Sequence, residues 1–200
     1  MTNHLRNPLG GLPDTESSRI DNAIGDTLIG ITLCGMRDCA ESFDGVADDG
    51  IHQLTWGVVF SFESTGDLAI TWTEDVNGNP YRIAAISAEQ LLAIESVVPE
   101  DVSSVTPWSS RIGRQLEGVI RHSYETNWGY ESSVDTWHAV TWGLEFMFLP
   151  GNVLVAAAQH DCCLSDPTAS DEIVIASTPK AIDELRALRY GHREKWFSAQ

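Results

Sequence analysis

The stretch His52-Gln-Leu-Thr55-Trp56-Gly57-Val-Val-Phe60-Ser-Phe62 returns 86 residues later as His138-Ala-Val-Thr141-Trp142-Gly143-Leu-Glu-Phe146-Met-Phe148. Six of these eleven positions are identical, in the pattern HxxTWGxxFxF. Upstream, Ile24-Gly25-Asp-Thr-Leu28-Ile-Gly30-Ile31 is echoed by Ile112-Gly113-Arg-Gln-Leu116-Glu-Gly118-Val119 at a spacing of 88. Downstream, Ile83-Ala-Ala-Ile86-Ser87 corresponds to Ile173-Val-Ile-Ala-Ser177-Thr178-Pro179 at a spacing of 90 or 91, and an apolar-periodic segment follows each. Similar blocks in one order, with small drifts in spacing, predict a tandem duplication.

Within the repeated block, His52, Leu54, Trp56, Val58, Phe60 and Phe62 alternate with mostly more polar neighbours, the period of a half-buried strand. The matching row, His138, Val140, Trp142, Leu144, Phe146 and Phe148, is expected to face inward in the same way, with Trp56 and Trp142 in a core that the copies share. Ser64-Thr-Gly66-Asp67 and Leu149-Pro150-Gly151-Asn152 then read as hairpin turns with a glycine for the positive-φ position. Partner strands follow over 68–73 and 153–158. The next strands, 83–86 and 173–176, run into helices. Ser87 with Gln90 makes a capping-box signature, and Thr178 before Pro179 makes an N-cap with proline at the first helical position. Leu91, Ile94 and Val97 match Ile182, Leu185 and Leu188 as helix stripes, with Pro99 and Gly191 as the stops.

The fold class is therefore α+β: two tandem antiparallel units, each of about four strands followed by one helix, which a pseudo-twofold axis would relate. Residues 1–19, with Pro8, Gly10, Gly11 and Pro13, read as a flexible N-terminal arm. The first repeat spans 20–100, a linker 101–107, the second repeat 108–191 and a C-terminal tail 192–200.

Charge narrows the function classes. Among 200 residues, 29 acidic and 12 basic side chains leave a net charge of −17, against any broad grip on nucleic acid or an anionic membrane. A basic protein is the expected partner. No run approaches the roughly 18 apolar residues of a membrane span, and MTNHLRNPLGGLPD lacks the apolar stretch of a signal peptide, so a cytoplasmic location is expected. The charge is also uneven: residues 20–105 hold 15 acidic and 2 basic side chains, net −13, whereas 106–200 hold 12 and 8, net −4.

The copies diverge most in the long connection before each HxxTWG block. Residues 35–50 carry Asp38, Glu41, Asp44, Asp48 and Asp49 against Arg37 alone, while 123–136 carry Tyr124, Trp128 and Tyr130 outside any core periodicity. Opposite charge steers association, and aromatic side chains carry much of the energy of interfaces. These eight residues are the candidate partner-binding site of an inhibitor or immunity-type protein, whose target would be a basic toxin or nuclease domain. The acidic run lacks the ligand spacing of an EF-hand loop. Cys34, Cys39, Cys162 and Cys163 are too sparse for a disulfide scaffold, and with His160 they do not match zinc-knuckle spacings. Reduced thiols, no metal and no cofactor are expected. His52 and His138 have no acid or nucleophile at a fixed offset, the His160-Asp161-Cys162 adjacency is no triad, and GxSxG, HExxH and phosphate-loop motifs do not occur. The chain thus points away from an enzyme and offers no catalytic residue. The alternative is an enzyme or small-ligand domain with a pocket between the repeats.

Overall fold

The computed structural model describes residues 12–36, 50–73, 82–126, 138–158 and 172–187. Over these the protein is α+β, with two antiparallel five-stranded sheets. In chain order the elements are α1 (Asp14–Ala23), β1 (Leu28–Met36), β2 (Ile51–Leu54), β3 (Gly57–Phe62), β4 (Gly66–Thr73), β5 (Arg82–Ser87), α2 (Ala88–Leu92) and β6 (Val97–Asp101). A 3-10 turn (Trp108–Ser110), β7 (Leu116–Thr126), β8 (His138–Phe148), β9 (Val153–Ala158) and β10 (Glu172–Ala176) follow, and α3 covers 179–187. One sheet has the order β5-β4-β3-β1-β6 and the other β2-β10-β9-β8-β7.

The sheets share a core. Phe60 of β3 and Phe146 of β8 meet with ring centroids 4.7 Å apart, inside a cluster that includes Leu28, Ile31, Ile70, Trp108, Leu116, Leu144, Val155 and Ile175. Each outer face is sealed as well. Ala88 and Leu91 of α2 pack with Cys34, Val59 and Ala69, while Ala181, Ile182 and Leu185 of α3 pack with Trp142, Leu154, Ala156 and Val174. Burial on both faces explains runs such as Val58-Val59-Phe60 and Val153–Ala157, in which no residue is exposed.

Corresponding features recur in the two sheets. β3 lies between β1 and β4 as β8 lies between β7 and β9, and both β1 and β7 carry an irregularity at their start, at Leu28/Gly30 and Leu116/Gly118. The sheets are stitched together at that point. The Gly25 N–H donates to the Leu116 carbonyl and the Gly113 N–H to the Leu28 carbonyl, both at 2.7 Å. The Leu28 N–H donates to the Arg114 carbonyl and the Leu116 N–H to the Asp26 carbonyl, around a Thr27–Gln115 bridge. Gly25 (φ 88°) and Gly113 (φ 78°) hold left-handed conformations that let the chain turn into this crossing.

Several expectations need correction. Part of the span expected as an arm, 1–19, is helical: Asp14 and Glu16 fill the first turn of α1, and Ile20 and Ala23 are buried. Pro13 sits at the helix N-cap rather than in a flexible segment. Glu16 forms a two-pronged ion pair with Arg82 at 2.9 Å and accepts the Ala85 N–H, while Arg19 donates to the Ala85 carbonyl, so α1 satisfies the edge of β5. Residues 1–11 lie outside the described residues.

The inward row of the first block also breaks. Its first half, β2, pairs with β10 in the other sheet, and the chain bends at Thr55–Trp56 before β3 begins. In the second block β8 continues, but Trp142 is an extra residue between the Gly143–His122 and Thr141–Ser123 pairs. This bulge reverses the facing, so Trp142 packs under α3 while Leu144, Phe146 and Phe148 face the central core. Trp56 likewise packs on the α2 side and stacks on Trp72, with centroids 6.0 Å apart. The two tryptophans therefore do not share a core.

The capping box at Ser87 and Gln90 forms, and Thr178 Oγ1 accepts the Ala181 N–H. α2 nevertheless ends at Leu92, and Val97 and Pro99 belong to β6, paired with Met36 and Cys34. Proline is tolerated there because β6 is an edge strand. The linker span contains the end of β6 and the buried Val102. Gly66 takes the positive φ expected of it, whereas the turn at 149–152 is made without one. Leu188 and Gly191 lie outside the described residues.

Candidate functional site

The two long connections leave from corresponding strands: Met36 ends β1 and Thr126 ends β7. Asp38, Glu41, Asp44, Asp48, Asp49, Trp128 and Tyr130 lie outside the described residues. Tyr124 is on β7, where its backbone pairs with Val140, and its side chain lies outside them. The first connection returns at Gly50 (φ 78°), whose carbonyl accepts both the N–H and the hydroxyl of Ser177. That contact ties the end of the acidic connection to the start of α3.

His52 is buried, with its ring 5.5 Å from that of Trp108, and the Arg111 guanidinium lies 5.7 Å from the same indole. This is a packing role. His138 opens β8, and its side chain lies outside the described residues, as do His160, Cys39, Cys162 and Cys163. Cys34 is buried, and burial pushes its thiol up to about 11, far from a reactive thiolate. Among the described residues, no three His, Cys, Asp or Glu side chains are grouped to hold a metal.

A polar cluster that the sequence reading did not single out lies on the outer face of the second sheet. Glu145, fully buried in β8, accepts from Asn152 Nδ2 at 2.6 Å through Oε1 and lies 3.0 Å from His122 Nε2 through Oε2. Arg186 of α3 donates to the same Oε2. The His122 ring packs 5.1 Å from Trp142. Burial alone would raise the Glu145 carboxyl. The hydrogen bonds from Arg186, Asn152 and His122, with the Arg186 charge, outweigh it and hold the group below the usual carboxylate range. Both oxygens are occupied, so Glu145 serves as a fixed acceptor that anchors α3. A signal for it existed: Glu145 is the one charged residue in Gly143–Phe148, and its place against Leu154 matches that of Val59 against Ala69.

No protein-family model, curated protein or solved structure matches the chain. Among the described residues no helix is long and apolar enough to cross a membrane.

Proposed function

We propose that this is an acidic, cytoplasmic protein-binding module that inhibits a basic partner such as a toxin or nuclease domain and binds no nucleic acid. Its scaffold is a tandem duplication, 20–100 and 108–191 joined by 101–107, related by a pseudo-twofold axis. The matching strand orders and the reciprocal hydrogen bonds at Thr27 and Gln115 support the duplication. Asp38, Glu41, Asp44, Asp48 and Asp49 form the steering surface, with Tyr124, Trp128 and Tyr130 as anchors.

The observation that carries this reading is the closure of both sheets. Each described sheet is covered on one face by the other sheet and on the opposite face by a helix, which leaves recognition to edges and connections. The connection richest in charge carries five acids and one arginine over 37–49. A pocket between the repeats has less support, because Phe60, Phe146, Trp108 and His52 fill that interface.

The test is affinity capture from the native extract at low and high salt, followed by kinetics with the captured protein. Association should slow as salt rises, since exposed charges more than about 10 Å apart are screened at roughly 0.1 M. Neutralising Asp44, Asp48 and Asp49 together should lower the on-rate, and Trp128→Ala should raise the off-rate. Salt-independent kinetics, or a turnover activity abolished by His52→Ala or His138→Ala, would overturn the reading.

A further inference from the structure

We infer that α3 is a strap latched to the second sheet by charge: when the Glu145 carboxyl is neutral, α3 leaves the outer face while the two sheets stay packed. What α3 touches is separable from the rest of the protein. Ala181, Ile182 and Leu185 belong to the cluster with Trp142, Leu154, Ala156 and Val174, whereas among the described residues α3 contributes nothing to the central core. By contrast, α1 sends Ile20 and Ala23 into that core and cannot leave without opening it. The pairing of β8 with β9 and of β9 with β10 runs strand to strand, so it survives the departure of α3.

The latch is the ion pair of Arg186 with Glu145, which joins the last described turn of α3 to β8. Asp183 beside Arg186 and Glu184 beside Lys180 ride on α3 itself, so those pairs tie α3 only to itself. From the sheet, His122 of β7 and Asn152 of the turn after β8 face the same carboxyl, His122 on the oxygen that Arg186 also uses. A proton on Glu145 removes the negative charge between these groups. In acid an imidazole is cationic as well, so Arg186 and His122 then face each other across a neutral oxygen. The guanidinium, already 33% exposed, gains hydration as α3 moves off. Burial raises the Glu145 carboxyl, but the hydrogen bonds from Arg186, Asn152 and His122 prevail and hold it below the ordinary range, so the latch is shut at neutral pH and opens in acid. Opening uncovers Trp142, Leu154, Ala156 and Val174, an apolar face that neutral pH keeps closed.

Amide exchange of the whole protein, expressed as protection factors so that the intrinsic pH dependence cancels, tests the latch. Residues 182–187 report α3, and 144–146 with 153–155 report the sheet. At neutral pH Glu145→Gln, which keeps the shape and removes the charge, should lower protection over 182–187 by about tenfold or more and leave the sheet as in the wild type. Acidifying the wild type should reproduce that loss, and acidifying Glu145→Gln should add nothing to it. Asp183→Asn, which takes away the partner of Arg186 on α3, should change protection by less than about twofold. Unchanged protection of α3 in Glu145→Gln overturns the inference, as does an equal loss in α3 and the sheet, a wild-type α3 that stays protected in acid, an acid step that persists in Glu145→Gln, or a loss in Asp183→Asn as large as in Glu145→Gln. Should Glu145→Gln not fold, the acid series of the wild type decides: protection over 182–187 must fall before that over 144–146 and 153–155, and a simultaneous fall overturns the latch.

Discussion

Cys34 and Val59 in the first sheet occupy the places that His122 and Glu145 occupy in the second, opposite Gly57 and Gly143 and beside Ala69 and Leu154. One outer face is closed over an apolar cluster, the other over an ion-paired one. Apolar closure needs only shape. Ionic closure needs every partner present, because a buried charge left alone costs far more than the pair contributes. It also gives α3 a specific attachment through Arg186, where α2 relies on Ala88, Leu91 and its capping box.

The sharpest contrast lies at the glycines that begin the two core rows. Gly57 has φ 149°, and a Cβ there would meet the Ile70 carbonyl oxygen at 2.1 Å, whereas at Gly143 the nearest atom is Leu154 Cδ1 at 3.3 Å and φ is not positive. Gly57→Ala should therefore cost about 3 to 5 kcal/mol, from backbone strain and overpacking together, and Gly143→Ala about 1. Denaturant midpoints decide between them. Equal losses would mean that the bend at Thr55–Trp56 and the bulge at Trp142 are alike after all.

Next in size is the ionic closure itself. Arg186→Ala should cost about 3 kcal/mol, because it strands the buried Glu145 carboxylate. Replacing the set by apolar residues, His122→Cys with Glu145→Val and Arg186→Leu, should fall within about 1 to 2 kcal/mol of wild type. Because the folded carboxyl titrates below its ordinary range, its contribution is complete above that range and is lost as pH falls through the lowered value. The wild type should thus lose ground to the apolar triple on acidification. A neutral Arg186→Ala would remove the distinction between the two faces.

What the sequence discloses and what it hides follow the same line. Local signals are legible: the turn at Gly66, the capping box at Ser87 and the strand rows of Phe60 and Phe146 need only their neighbours to be read. The departure of β2 to the far sheet is not, since His52–Leu54 continues the alternation of β3 and only pairing with β10 distinguishes it. Glu145 was hidden because strand alternation put it on the face opposite Phe146, which reads as solvent until α3 is laid over it. Helix α1 escaped a reading that weighed Pro8, Gly10 and Gly11 above the Asp14–Ala23 pattern. The partner-binding residues, placed by charge and divergence alone, fall outside the described residues apart from the backbone of Tyr124.

The smallest expected effect separates the two halves at their hairpin turns. In the first, the Asp26 carboxylate accepts the N–H groups of Thr27, Ser64 and Thr65 and the Thr65 hydroxyl. In the second, Arg111 donates to the carbonyls of Gly151 and Asn152 as well as those of Pro107 and Ser177. One turn has its backbone held by an acid on amides and the other by a base on carbonyls, so only the first has backbone hydrogen bonds that acid removes directly. Lost hydration raises the Asp26 carboxyl somewhat, but the hydrogen bonds from Thr65, Thr27 and Ser64 prevail and bring it from 3.8 to about 2. Because the folded value is lowered, the turn keeps this support above pH 3.8 and loses it as pH falls through about 2. Amide exchange at Ser64 and Thr65 should accelerate across that window in the wild type, while exchange at Gly151, whose carbonyl is held by Arg111, should show no such step. In Asp26→Asn the exchange at Ser64 and Thr65 should already be faster at neutral pH and show no added step. A carboxyl titration of Asp26 centred near 3.8, or a matching step at Gly151, would mean that the two turns are not held by opposite charges.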